Sequence, residues 1–291
     1  MSTRPLFISL GCVLAALPLH AEPLQTAAEI EDIGEITAVE TETIPAEGKS
    51  VEAPPESRVK FRFNASTRAQ YTSNAILSGN HGSGDVLFFP TLEGGMHSEL
   101  RNGFSFDLAA RIESGLYTRY DDRSFVGYGA TGTFDWRPRP NAPRLYLSAE
   151  PYRYDNFDIG GLLTQAVGFT IGTDHGIPFN QGNSAAFLGY NFTHYLSDPS
   201  IDSRNSHKAV VGLVHTVRPQ MYAQLFYSFN YDQYTGFDRR DFRHIVGANL
   251  TWQLNRRLFA TLSGSFVDND SDQEHASYQS AGAALQLTLQ Y

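Results

Sequence analysis

Near the C-terminus a histidine and a serine stand two residues apart, as His275-Ala-Ser277. A serine hydroxyl becomes a nucleophile only when a base lies within hydrogen-bond reach, so this is the stretch where bond-breaking chemistry is to be sought. It falls in an expected loop without the neighbouring residues such a pair needs, and it reads as solvated loop. Acids pair at Asp121-Asp122 and alternate through Asp268, Asp270, Asp272 and Glu274. Paired acids suit proton transfer and alternating acids suit calcium, but the glycine and terminal glutamate spacing of an EF-hand is absent. No catalytic residue, cofactor or metal site is expected. The single cysteine, Cys12, lies in an N-terminal apolar run, which leaves no thiolate chemistry for the rest of the chain.

Charges interleaved with apolar residues are more informative. From Phe104 to Leu116 the even positions are mostly apolar, while the odd ones include Asp107, Arg111 and Glu113. Such period-two alternation makes one greasy and one polar strand face. If Gly103 takes the left-handed position of a three-residue hairpin loop, Leu100 lies opposite Phe104. That register, set by apolar facing alone, puts His97 opposite Asp107 and Glu93 opposite Arg111 on the polar face. Arg62 and Arg68 on the preceding strand, with Glu99, share that face.

These residues need a scaffold of strands. Period-two segments separated by turn signals run at about 60–73, 86–100, 104–117, 125–136, 144–154, 163–173, 185–195, 207–217, 221–234, 242–253, 257–267 and 278–291. They are ten to fifteen residues long, against roughly five or six for strands of soluble proteins, and a tilted strand of about ten residues crosses an apolar band of roughly 25 Å. Short connections such as Arg101-Asn-Gly103, Arg218-Pro-Gln220 and Leu254-Asn-Arg256 alternate with long polar ones at Ser197 to Ser206, Thr235 to Asp241 and Asp268 to Ser277. Arg137 to Pro143 and Asp174 to Asn183 break this alternation. The two tryptophans, Trp136 and Trp252, end strands beside expected periplasmic turns and face the apolar side, where an interfacial girdle would place them. The expected fold is an all-β, transmembrane, antiparallel up-and-down barrel of about twelve strands over residues 59–291, with polar residues lining its lumen.

Composition agrees. The chain has 22 Lys+Arg against 31 Asp+Glu and a net charge of -9, which argues against a nucleic-acid partner. Mean hydropathy is -0.30, and outside the N-terminus no apolar run approaches the roughly 20 residues of a membrane helix. Residues 1–21 read as a signal peptide, with Arg4, an apolar stretch from Leu6 to Leu17, and Ala21 at the cleavage position. Residues 22–58 are acidic, poor in aromatics and carry Pro54-Pro55, the composition of a disordered periplasmic linker with the capacity to meet a periplasmic partner.

The final strand, with Ala283, Leu285, Leu287, Leu289 and Tyr291 in alternation, resembles the C-terminal β-signal of Gram-negative outer-membrane proteins. The opening Ala69-Gln-Tyr-Thr-Ser-Asn-Ala75 is loosely similar to the first strands of outer-membrane β-barrel porins. This resemblance implies an outer-membrane location, lipid as surroundings and recognition by the barrel-assembly machinery. It implies no substrate. The motifs of outer-membrane phospholipases, lipid A deacylases and omptin-like proteases are missing. The expected function is therefore a porin-like channel for small polar solutes. The alternative is a non-conducting barrel serving an envelope complex such as exopolysaccharide export. Inward small residues, among them Gly127, Gly129, Thr131 and Gly247, are expected to leave space in the lumen.

Overall fold

The structure, a computed structural model, describes residues 59–77, 83–139, 141–157 and 160–291, apart from the side chain of Glu274; the signal peptide and acidic linker read from the sequence lie outside them. Twelve strands form one closed antiparallel barrel: β1 (Val59–Thr72), β2 (Asp85–Glu99), β3 (Phe104–Tyr117), β4 (Phe125–Trp136), β5 (Arg144–Asn156), β6 (Leu162–Phe179), β7 (Ser184–Asp198), β8 (Arg204–Arg218), β9 (Met221–Tyr234), β10 (Arg240–Gln253), β11 (Leu258–Ser271) and β12 (Tyr278–Gln290). Each strand pairs with its sequence neighbours, and β12 pairs with β1 through Ala65↔Leu289 and Ala69↔Leu285. Reciprocal backbone bonds between Phe63 and Tyr291, 3.0 and 2.8 Å, complete the seam. Closure leaves no strand edge with unpaired backbone groups, which hydrocarbon would not tolerate.

Alternation decides which way each strand faces. Leu92, Ile171, Leu188, Val211, Leu225 and Leu262 point outward and are exposed, Leu262 at 57%. A continuous exterior of this kind exceeds any apolar patch that a water-soluble monomer carries, so lipid must cover it. Trp136 and Trp252 are among these outward residues, at the barrel end that carries both termini. Leu285, Leu287, Leu289 and Tyr291 share the lipid-facing side of β12.

The connection after β2 follows the expected geometry. Leu100 donates its N–H to the Phe104 carbonyl at 2.8 Å, and Gly103 has φ +78°. A side chain at Gly103 would also collide with the Arg137 carbonyl, whose own N–H bonds the Gly103 oxygen at 2.8 Å. Glycine is thus required there twice over.

Two expectations about connections are corrected. Asp174 to Asn183 is no long turn, because β6 continues through Phe179 and pairs with β7 as far as Phe179↔Ser184. Pro178 there disguises a strand whose backbone ladder nonetheless persists. At the opposite end the loops are shorter than polarity suggested. β7 runs to Asp198, β8 starts at Arg204, and β11 continues through Asp268 and Asp270 to Ser271. Beyond the lipid the outward face no longer needs to be apolar, so the alternation signal stops before the strands do.

Candidate functional site

The lumen gathers the charged groups. On the β1–β3 wall the pairings Glu93↔Arg111 and His97↔Asp107 are those the hairpin register requires. Side chains then link across strands. Arg62 Nη1 meets Asp107 Oδ1 at 2.7 Å, and His97 Nδ1 meets Asp107 Oδ2 at 2.8 Å. Arg62 Nε lies 3.5 Å from Glu93, which also accepts from Asn64 at 3.3 Å. Glu99 pairs with Lys60 at 2.7 Å on the rim. Deeper in, Arg111 Nε lies 3.3 Å from Glu113, which accepts from the Tyr154 hydroxyl at 2.9 Å. Arg68 stacks over Phe89, 4.5 Å from the ring centroid. All eight charged residues singled out from the sequence thus lie on the lumen face of three adjacent strands.

Sequence reasoning missed two further groups. Arg144 on β5 bridges Asp135 on β4 at 3.3 Å and Asp174 on β6 at 2.6 Å. On β8–β10, Asp232 lies 2.8 Å from Arg243 and 3.6 Å from Arg204, and Arg239 pairs with Asp241, all nearly inaccessible. Aromatic faces sheathe this cluster, with Arg204 4.5 Å from the Tyr195 centroid and Arg239 4.6 Å from Tyr234. The inward parity of Arg243 and Asp232 was the available signal. Arg204 and Arg239 were hidden because they sit in stretches that read as loop.

Between these groups the lumen is apolar. Phe89, Phe125, Tyr154, Tyr195, Phe226 and Ile245 form its buried cluster, joined by Ala75 and Leu77 from the β1–β2 connection. Here the expectation that small inward residues leave space is partly wrong. A side chain at Gly127 would strike the Tyr154 ring, and one at Gly247 the Phe226 ring. These glycines are seats for aromatics from the neighbouring strand rather than voids. Gly129 does leave room, its nearest neighbour being the Pro151 carbonyl at 3.7 Å from a built Cβ. Towards the terminal end the β9–β12 wall is neutral, with Asn249 donating to Gln224 at 3.3 Å and Thr251 bonded to Thr261 at 3.0 Å.

Two of the groups weighed for bond-breaking or metal chemistry hold loop backbone in place. Ser277 Oγ accepts the Ser271 N–H at 2.9 Å and so closes the β11–β12 loop. Asp272 accepts the Arg240 N–H at 2.9 Å. Among the described residues no three His, Cys, Asp or Glu side chains converge as a metal site would need.

Comparison with known proteins agrees with this architecture. Residues 196–291 match the family model "Putative beta-barrel porin 2". The fold is similar to an outer membrane channel from Pseudomonas putida F1 at a TM-score of 0.50 and 12% identity, over 85% of this chain and 100% of that one. An anion-selective porin from Comamonas acidovorans aligns at 0.42 and 11% identity, over 81% and 100% of the two chains. The translocator domain of the autotransporter NalP from Neisseria meningitidis aligns at 0.46 and 9% identity, over 79% and 88%. No curated protein matches. A closed twelve-stranded antiparallel barrel with a continuous apolar exterior has the architecture of a transmembrane β-barrel.

Proposed function

We propose that the barrel is a narrow, porin-like channel through which small polar solutes diffuse passively. The observation that carries this reading is the water access of the polar cluster on the β1–β3 wall inside it. The side chains of Arg62, Glu93, His97 and Asp107 are 27%, 26%, 30% and 23% exposed although all point into the barrel. Charges are stable at that depth because the terminal end of the lumen is open enough to hydrate them. A passing ion feels each of them, as ions do in other charged pores. The aromatic cluster with Leu77 supports a second reading, a non-conducting barrel that serves an envelope complex.

Ion selectivity in a planar bilayer tests the role of this cluster. Removing one charge about 6 Å from the permeation path in a water-like dielectric changes an ion's energy by about 0.7 kcal/mol, or roughly threefold in permeability ratio. Asp107→Asn is therefore expected to move the reversal potential in a KCl gradient towards that of chloride. A conducting variant with an unchanged reversal potential would place Asp107 off the ion path.

A further inference from the structure

One arc of the barrel's terminal rim carries positive charge with nothing opposite it. It comprises the ends of β8, β10 and β12 and the two turns between β8 and β11. Three arginines stand there, Arg218, Arg256 and Arg257, while 216–224, 249–261 and 281–291 contain no Asp or Glu. All three are exposed, and none has a carboxylate side chain within ion-pair distance among the described residues. Backbone bonds from Gln253 N–H to the Gln220 carbonyl and from Gln290 N–H to the Arg257 carbonyl, each 2.8 Å, hold the parts of the arc side by side.

Two of these guanidinium groups rest on rings that face lipid. Arg218 lies 5.6 Å from the Trp252 centroid and Arg257 3.9 Å from that of Tyr291. Both rings are outward and exposed, next to the equally exposed Val217, Leu254 and Leu289. The charge is therefore held at the boundary between apolar exterior and water. Stacking occupies the face of a guanidinium and leaves its N–H edge free to donate, and that edge matches two oxygens of a phosphodiester.

We propose that this arc binds the headgroup of an anionic phospholipid. Arg218, Arg256 and Arg257 hold its phosphodiester, and Trp252, Leu254 and Tyr291 contact the first carbons of its acyl chains. Charge complementarity selects the headgroup: a zwitterionic lipid brings an ammonium that three unopposed arginines repel, whereas net negative charge gains about fivefold in affinity per nearby basic residue. The exposed apolar side chains beside the arginines favour a lipid over a soluble phosphate, which would not cover them. Short turns of such barrels face the periplasm, where the adjoining leaflet is phospholipid.

The two tryptophans allow a local test, because a brominated acyl chain quenches indole fluorescence only at close range. The full chain carrying Trp136→Phe, read at Trp252, is reconstituted in phosphatidylcholine vesicles that contain either brominated phosphatidylglycerol or brominated phosphatidylcholine. At about 20 mM salt phosphatidylglycerol is expected to occupy the position beside Trp252 about fivefold more readily, and the preference should fall towards unity near 0.5 M salt. Replacing Arg218, Arg256 and Arg257 together by glutamine, with folding checked by heat-modifiable migration, should abolish it. The reciprocal Trp252→Phe chain, read at Trp136, should show a preference of about twofold at most, since no arginine stacks on that ring. Equal occupancy by the two lipids at Trp252, or a preference that survives the triple substitution, would overturn the proposal. So would an equal preference at both tryptophans, because the attraction would then belong to the whole rim. Displacement of the lipid by inorganic phosphate at matched ionic strength would also overturn it, by making the ligand a soluble anion.

Discussion

Asp232→Ala is expected to destabilise the barrel by about 3–5 kcal/mol, because it strands two buried guanidinium groups without their shared carboxylate. Asp232 is 2% exposed, with Arg243 at 2.8 Å and Arg204 at 3.6 Å, themselves 4% and 3% exposed. The attraction within such a cluster does little more than offset the cost of burying its charges. Its removal one partner at a time is what costs, since the remaining charges keep that desolvation penalty. Asp232→Asn retains an acceptor and should lose less. The urea midpoint of the folded barrel in detergent, followed by heat-modifiable migration, measures both variants. A midpoint for Asp232→Ala equal to that of the unaltered protein would mean that water, and not burial, surrounds the two arginines.

Gly212→Ala is the second large effect, at about 2–3 kcal/mol for a single added methyl group. The new Cβ would collide with the Phe187 ring and lie 2.5 Å from the Leu225 carbonyl. The ring could swing away only by leaving its buried cluster, and the carbonyl belongs to the β8–β9 ladder, where it cannot yield. The matched control is Gly129→Ala, also inward, whose Cβ would meet nothing closer than 3.7 Å. It should change the stability read from the urea midpoint by no more than about 0.5 kcal/mol. Equal losses at the two positions would show that strand glycines matter for backbone entropy and not as seats for aromatic rings.

The contrast between these glycines shows where sequence reading stops. The strands were legible because lipid imposes an apolar residue at every second position, and that constraint is local. All twelve segments, the Gly103 hairpin and the pairing of His97 with Asp107 follow from it. Contacts within the lumen obey no local rule. Tyr154 reaches Glu113 across 41 residues, and Arg144 joins Asp135 to Asp174. The sequence shows Gly127 and Gly129 as equivalent small inward residues. Only the ring of Tyr154, delivered by the neighbouring strand, distinguishes them. The β8–β10 cluster was lost for a related reason. Above the lipid the outward face turns polar, so Arg204 and Arg239 read as loop, although β8 already begins at Arg204.

Whether water and ions cross the lumen is the central question, and single-channel recording of the purified barrel in a planar bilayer answers it most directly. The channel reading, with a part-exposed charged cluster on the β1–β3 wall in series with the buried aromatic cluster, predicts steady, ohmic steps of small amplitude. Silence over many verified insertions would contradict the channel reading and leave a closed barrel.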